Sequence, residues 1–469
     1  MLSIDIHRDN DQPLVEQIVQ AVMNRVDSHG LRPGSRVPSI RRFAESHGVS
    51  RFTVVQAYDR LVAAGYLNSR QGSGFYVSQP PLPLGQEAQS ACDLDQAVDV
   101  LWLLRRAMED QQHRFQPGCG WLPASWLDGP GIQRSLRQLA RGGEQELVSY
   151  GRAAGYRPLR QLLQQRLGEA GIRTDLNQIL LTHGASHGLD LVGRYLVRPG
   201  DTVLVDDPAY FNLFGYLKSL GARVVGVPRG EDGPDVDAMA RLLELHSTRL
   251  FITSSLLHNP TGSSITPAVA FQLLRLAEQH DFMIVDDDIY GDLHPGAEVR
   301  LGALDQLNRV IHVSSFSKTI SANLRVGYLA CHPALARELL DLKLLTHIAT
   351  NALSERVIYE ILNEGHYRKH LQRLRSRLDR ARDTTLARMA RLGLTPFIEP
   401  RHGMFIWARL PGEGRDAAAL AHRALQDDMV LAPGNTFRPD LERSSWLRFN
   451  VAFCEEPAVF ELLARLLDG

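Results

Sequence analysis

The chain has 469 residues, a formal net charge of −1, 44% hydrophobic and 22% charged residues, which excludes one compact core and points to two or three globular domains. A balance so close to neutral also excludes a molecule that is basic throughout, so contact with nucleic acid would have to come from a local patch. The four cysteines, Cys92, Cys119, Cys331 and Cys454, are far apart with no Cys-x-x-Cys pair, which argues against a zinc site or disulfide framework and for reduced thiols. No stretch reaches the ~18 uninterrupted apolar residues of a membrane span, and the segment from Met1 to Asn10 lacks the apolar core of a signal peptide. The expected setting is the cytoplasm, with no membrane partner.

From Pro13 to Asp27 the apolar residues Leu14, Ile18, Val22 and Val26 form one stripe of an amphipathic helix. After a turn at Arg32-Pro33-Gly34, a second helix begins at Pro38 and Ser39, with Ser39 as its cap and Ile40, Phe43 and Ala44 facing inward. Gly48 breaks the chain before Ser50, a second cap. A third helix then runs from Arg51 to about Ala64, burying Val54, Tyr58 and Leu61 and leaving Arg51, Thr53 and Gln56 outside. This is helix-turn-helix spacing. Beyond Gly65, the segments Tyr66-Leu67-Asn68 and Phe75-Tyr76-Val77 flank Arg70-Gln71-Gly72-Ser73-Gly74, as two short strands of a wing.

The first 80 residues hold nine arginines against seven acids and no lysine, a net of +2. Arg41, Arg42, Arg51 and Arg70 fall where helix termini and wing would meet phosphate. Arg51 and Thr53 are expected at base edges of double-stranded DNA, with Ser39, Arg41 and the wing residues Arg70 and Gly72 on the backbone. Helix spacing alone would also suit an interaction module with solvated arginines. The residues Pro38-Ser39-Ile40-Arg41, Gly48-Val49-Ser50-Arg51, Thr53-Val54, Ala57-Tyr58, Leu61, Gly65-Tyr66-Leu67 and Gly72-Ser73-Gly74 resemble the winged helix of the GntR family of bacterial repressors. That resemblance implies DNA binding.

The chain then turns to Gln79-Pro80-Pro81-Leu82-Pro83-Leu84, with no hydrophobic period and repeated φ-fixing prolines, a semi-rigid tether. The expected organisation is a DNA-binding domain over 1–79, a linker over 80–112, and a second domain over 113–469 with a large part at about 150–340 and a small part at about 345–469. In that domain Thr202–Val205, Arg223–Val227, Leu250–Thr253, Met283–Val285 and Val310–Val313 read as strands alternating with helical stretches. A mostly parallel sheet follows, with ligands at the carboxyl ends of its strands.

Those ends carry a consistent chemistry. Leu180 to Ser186 passes from strand through Gly184 into a helix, which aims free N–H groups at an anion and makes Ala185 and Ser186 candidate phosphate ligands. Ser315, Ser317 and Arg325 add hydroxyls and a permanent cation. Asp287 follows the apolar Met283-Ile284-Val285, so its carboxylate needs a cationic partner such as a protonated pyridine nitrogen. Asp286-Asp287-Asp288 in a row might suggest a metal, but successive strand residues face opposite ways and no ligand set accompanies them, so no metal is expected. Tyr290 and Asn259 suit the phenolic oxygen of pyridoxal 5'-phosphate, the Tyr210 ring suits its pyridine face, and Lys318 suits the amine that would hold it covalently; taken singly, the two tyrosines suit a core and the lysine a solvated surface as well.

In order, Gly184-Ala185-Ser186, Asp207-Pro208-Ala209-Tyr210, His258-Asn259-Pro260-Thr261-Gly262, Asp287 with Tyr290, Ser315-Phe316-Ser317-Lys318, Arg325-Val326-Gly327-Tyr328 and Arg448-Phe449-Asn450 resemble the class I aminotransferases of fold type I over about 350 residues. The resemblance implies an α/β fold type I domain with a smaller α+β C-terminal subdomain, and gives Arg448 the role of clamp for an effector or substrate carboxylate. Both halves in one chain resemble the MocR subgroup of GntR regulators. That implies a head-to-tail homodimer in which Tyr150 reaches the partner's phosphate, and an aminotransferase-like part that senses an amine, an amino acid or pyridoxal phosphate itself. Asp206 stands where a Glu is common, and the interval from Lys318 to Arg325 is one residue shorter than in many transaminases. The alternative is an aminotransferase with an appended DNA-binding domain.

Overall fold

The computed structural model describes residues 13–27, 31, 35–70, 74–78, 113–143, 147–296 and 298–468. The expected turn at Arg32-Pro33-Gly34, the wing residue Gly72 and the linker 80–112 lie outside the described residues. The chain divides into two compact units, Met1–Leu94 and Asp95–Gly469.

In the first unit, helices α1 (Leu14–Asp27), α2 (Ile40–His47) and α3 (Arg51–Ala63) precede the antiparallel pair β1 (Leu67–Arg70) and β2 (Gly74–Val77). The apolar stripes meet in one core of Ile18, Val22, Phe43, Val54, Tyr58, Leu61, Leu67 and Val77. Each such side chain taken from water contributes ~1.5–3 kcal/mol before entropy is counted. Tyr58 is buried because its hydroxyl finds the Pro38 carbonyl at 2.9 Å, while its ring meets Phe43 and Phe75 edge-on. Both helix starts are capped as the sequence predicts: the Arg42 N–H donates to Ser39 Oγ at 3.3 Å and the Thr53 N–H to Ser50 Oγ at 3.0 Å. Gly48 ends α2 in the left-handed region at φ +64°, where a Cβ would be strained. The wing is joined by a third segment, since the Val37 N–H donates to Phe75 O and the Val77 N–H to Ser35 O.

The second unit is built on a mixed sheet of eight strands in the order β3-β10-β9-β8-β7-β4-β5-β6. These are β3 (Ile179–Thr182), β4 (Thr202–Asp207), β5 (Arg223–Gly230), β6 (Gly233–Pro234), β7 (Thr248–Thr253), β8 (Met283–Asp287), β9 (Val310–Ser315) and β10 (Gly327–Ala330). Strands β5, β4, β7, β8 and β9 are parallel neighbours, while β10 runs antiparallel to both β9 and β3. Burial on both faces explains their near-continuous apolar runs. Val203, Val205, Leu250, Ile252 and Val285 pack with the helices Gly184–Leu196, Phe211–Ser219 and Pro333–His347. Leu204, Phe251 and Ile284, one residue out of step, pack with Val236–Leu245 and Pro267–Gln279 on the other face.

A second sheet has the order β11-β12-β14-β13, all antiparallel, from β11 (Thr395–Pro396), β12 (Phe405–Arg409), β13 (Ala432–Pro433) and β14 (Trp446–Asn450). It is covered by the helices His366–Arg391, Ala417–Gln426 and Pro457–Asp468. The segment before the large sheet joins this part: Phe115, Leu122 and Trp126 enter its core and the Gly118 N–H donates to Val430 O. That contact brings the carbonyls of residues 118–121 over β14.

Ser50→Ala removes the acceptor that holds the first turn of α3 and is expected to cost about 1 kcal/mol. Faster hydrogen exchange at the Thr53 amide, by more than any change at Val22 in the shared core, is the expected readout; equal exchange at Thr53 would show that the cap does not hold the turn.

Candidate functional site

Because β4, β7, β8 and β9 run parallel, their carboxyl ends share one edge, where Asp287 closes β8 and the loops that follow the strands carry Tyr210, Asn259, Tyr290 and Lys318. Asp287 pairs with Val313 and Asp286 with His312, so the two carboxylates leave on opposite faces. Val313 lies against Gly188 of the helix Gly184–Leu196, which puts Asp287 on that helix's side. The three acids have three separate surroundings: Asp286 accepts from Ser255 N and Oγ at 2.8 and 2.6 Å, and Asp288 from Arg300 Nε at 2.7 Å. Asp287 Oδ1 is buried with no hydrogen-bond partner. Tyr210, Asn259, Asp287 and Tyr290 line one pocket together with Asp206 and His258.

The helix Gly184–Leu196 opens without a side-chain cap, which leaves the first N–H groups, those of Ala185 and Ser186 among them, free for an anion. Arg325 lies across this opening, with Nη2 on His183 O at 3.3 Å and its own φ at +51°. A Cβ on Gly184 would stand 2.9 Å from the Arg325 guanidinium, and one on Gly327 would stand 2.7 Å from the Gly184 carbonyl carbon. Both glycines are therefore required for the close approach. Ser315 Oγ meets Ser317 Oγ at 2.9 Å, accepts from the Ser317 N–H at 3.2 Å and donates to Val326 O at 3.1 Å, which fixes the turn into Lys318.

Lys318 Nζ donates to Gly120 O at 2.7 Å. Burial, with the Arg448 charge adding, brings its amine down to about 8 against the pull of Asp287. Burial, with Asp286 and Asp288 adding, pushes the Asp287 carboxyl up to about 7 against the pull of Lys318. A neutral amine is nucleophilic, and a carboxylate short of a cation is an acceptor for a protonated ring nitrogen. The free Asp287 oxygen, the open helix start beside Arg325 and the lysine fit pyridoxal phosphate at ring nitrogen, phosphate and aldehyde carbon. Bound there, that group supplies an electron-withdrawing ring.

Arg448 is buried, with Nη1 on Asn259 Oδ1 at 2.9 Å and Nη2 on Gly118 O at 2.6 Å, between the Phe405 and Phe437 rings. Its Nε has no partner, so donor capacity remains for a carboxylate. Asn259 Nδ2 donates to the Tyr290 hydroxyl at 3.3 Å, so Asn259 joins Arg448 to Tyr290. Tyr210 accepts from Asn212 Nδ2 at 2.6 Å. Tyr150 is 87% exposed.

Sequence reasoning missed the layer behind these residues. Arg229 gives Nη1 to Asp206 Oδ2 at 2.9 Å and Nε to Ser263 Oγ at 2.9 Å, and His258 Nε2 stands 3.4 Å from Asp206. Asn450 Nδ2 donates to Cys119 O at 3.0 Å and Trp121 O at 2.6 Å, pinning the strand of carbonyls that receives Lys318 and Arg448. His258 and Asn450 sat inside quoted motifs, which was signal enough; Arg229 had none.

In the first unit, Ser39 is engaged as a cap and Thr53 Oγ1 meets Ser50 Oγ at 2.7 Å. Arg41 holds Glu45 at 2.9 Å with both side chains exposed, a contact easily exchanged for phosphate. Arg51 is exposed at the start of α3, and Arg70 closes β1 opposite Gly74. Phe52, not singled out from sequence, is 69% exposed between Arg51 and Thr53; its position off the Val54, Tyr58, Leu61 stripe was the available signal.

Residues 130–466 match the family described as aminotransferase class I and II, and residues 14–77 match the gntR family of bacterial regulatory proteins. An uncharacterized HTH-type transcriptional regulator of Escherichia coli, YdcR, is 28% identical over 95% of this chain and 97% of its own. The probable rhizopine catabolism regulatory protein MocR of Rhizobium meliloti is 28% identical over 92% of this chain and 86% of its own. The crystal structure of Pyrococcus horikoshii kynurenine aminotransferase superposes with a TM-score of 0.73 at 26% identity, covering 79% of this chain and 94% of that one.

In the cofactor-free protein, the folded Asp287 carboxyl keeps its proton up to about pH 7 while the unfolded one loses it near 3.8. The fold binds more protons between those values, so stability falls as pH rises across that window. Asp287→Asn is expected to flatten this part of the profile of urea midpoint against pH; an unchanged slope would show that the Asp287 charge is not what the fold resists.

Proposed function

The chain belongs to the aminotransferase class I and II family and carries a gntR-family DNA-binding unit ahead of it, and on that premise we propose that its cofactor pocket senses an amino acid, an amine or pyridoxal phosphate itself and passes that state to DNA. The cofactor is pyridoxal 5'-phosphate. Its phosphate rests on the N–H groups of Ala185 and Ser186, the hydroxyls of Ser315 and Ser317 and the Arg325 fork. Asp287 holds the proton on the ring nitrogen, Tyr210 stacks on the ring, and Asn259 and Tyr290 hydrogen-bond its phenolic oxygen. Lys318 provides the attaching amine and holds or releases a proton there. Arg448 takes the carboxylate of an arriving amino acid, and Asn259 transmits that contact to Tyr290. The chain acts as a head-to-tail homodimer, with a DNA-reading domain over 1–79, a linker over 80–112 and the sensing domain over 113–469.

The observation that carries this reading is the helix-turn-helix unit itself, whose exposed first turn of α3 holds Arg51, Phe52 and Thr53 on a capped, rigid helix. Arg51 and Thr53 reach base edges in the major groove, Phe52 offers an apolar contact to a thymine methyl, and Ser39, Arg41, Arg70 and Gly72 hold phosphates. A ligand that favours one conformation by ~1–3 kcal/mol is sufficient to change DNA affinity about 5- to 150-fold. A second reading, a transaminase with a DNA-binding unit, is favoured by the presence together of Lys318, Asp287, Tyr290, Asn259 and Arg448.

Retention of fragmented genomic DNA on the purified protein, with and without pyridoxal phosphate, separates the two. A few discrete retained sites support the regulator; no enrichment in either state, with multiple-turnover transamination of an amino acid, supports the enzyme. Lys318→Ala is expected to abolish the absorbance band of the lysine-linked cofactor and leave the fold intact, and a borohydride-reducible adduct persisting in that variant would assign the role to another lysine. Arg51→Ala is expected to weaken binding to a retained site by about 1–3 kcal/mol, whereas an unchanged footprint would move recognition elsewhere.

A further inference from the structure

On the sheet face opposite Asp287, a cavity of about 530 Å³ opens between the helices Arg157–Glu169 and His366–Arg391 and the ends of β8, β9 and β10. A single water occupies ~30 Å³ and small-molecule pockets span ~300–1,000 Å³, so the cavity has the size of an organic ligand. Strand register separates it from the cofactor pocket: Asp286 and His312 pair on this side, Asp287 and Val313 on the other.

Its floor is polar and incompletely satisfied. His312 is 1% exposed and lines the cavity, yet neither ring nitrogen has a hydrogen-bond partner, and neither does Asp288 Oδ1. Three such atoms left bare inside a protein are costly unless something meets them. Ser314 Oγ donates to Asp288 O at 3.0 Å, and the Tyr328 side chain lines the same floor.

The walls carry four arginines against three acids. Most are committed: Arg166 to Asp292 at 2.8 Å, Arg300 to Asp288 at 2.7 Å, and Arg375 through Nε and Nη2 to Asp292 O at 3.1 and 2.7 Å. Arg368, exposed at the mouth, has no side-chain partner among the described residues. The cavity therefore presents an uncommitted guanidinium at its rim, and buried just beneath its floor lie His312, whose Nε2 stands 3.9 Å from Asp288 Oδ2, and the Asp288 Oδ1 that has no hydrogen-bond partner. We propose that it is a second small-molecule site that takes a compact carboxylate anion, the carboxylate held at Arg368 and a hydroxyl or amino group on the same molecule meeting His312 and the free oxygen of Asp288.

The inference does not depend on the regulator reading. L-malate is the probe, with succinate as the same dicarboxylate lacking the hydroxyl. Titration calorimetry on the full chain carrying Arg448→Ala, which removes the other carboxylate clamp, is expected to show malate binding that weakens at least tenfold when Arg368→Ala is added and is stronger than that of succinate. On the unaltered chain, malate is expected to move the His312 ring signal in an NMR spectrum of histidine-labelled protein, which needs no variant to fold. Binding abolished by Arg448→Ala and indifferent to Arg368→Ala, a His312 signal that does not move, or no binding of malate at all would each overturn the site.

Discussion

The Asp287 carboxylate sits at the end of a buried strand with one oxygen unpartnered, and the second unit is arranged around that deficit. A charge in such a place is tolerated only beside a cation. Lys318 offers partial compensation from the next strand end, and its own amine is brought down by the same burial and by Arg448. Two groups, each pushed toward neutrality, leave the pocket prepared for a molecule bearing a protonated ring nitrogen and an electrophilic carbon. The remaining groups would suit the same molecule: the Gly184 helix start and Arg325 fit an anionic end, and Arg448, with its Nε unpartnered, keeps donor capacity beside it.

The parallel run β4-β7-β8-β9 makes this convergence possible, because it delivers residues more than a hundred positions apart to one edge. Antiparallel β10 then leaves the Lys318 loop beside the start of the Gly184 helix, with Gly327 bare enough to pass the Gly184 backbone and Gly184 bare enough to admit the Arg325 guanidinium. Behind the first contacts, Arg229 and Asp206 form a buried pair with hydrogen bonds to Thr253 and Ser263, which holds the pocket wall rigid. The segment 118–121 completes the site from the side of the smaller sheet: its Gly118 and Gly120 carbonyls accept from Arg448 and Lys318, and Asn450 of that sheet pins the alternate carbonyls of Cys119 and Trp121. A ligand that displaces the Lys318 or Arg448 contact therefore acts directly on the junction between the large sheet and the small one.

Local features were legible in the sequence and long-range ones were not. The helices of the first unit could be placed from their apolar period and from Ser39, Gly48 and Ser50, because stripes and caps are written within a few residues. Strand ends were legible because fully buried strands read as apolar runs, and Asp287 was legible because an acid closing such a run demands a partner. Arg229 was not, since its meaning lies in Asp206 and Ser263, which only the sheet topology brings near. The carbonyls of Gly118 and Gly120 were hidden for a different reason: any residue offers a carbonyl, and only the fold says which one a buried cation will find. His312 and Arg368 come from separate elements whose shared cavity has no counterpart in a linear pattern.

Sensing of the proposed kind requires the cofactor pocket and the DNA-reading unit to share one free energy. Affinity for a retained DNA site, titrated across concentrations of an amino acid or amine that changes the cofactor's absorbance, tests it most directly, because linkage requires the effect to be reciprocal. The ligand is expected to change DNA affinity by some factor and saturating DNA to change the ligand's affinity by the same factor, with both effects absent in Lys318→Ala. DNA affinity unchanged by every ligand that alters the absorbance, and by the cofactor itself, would contradict it.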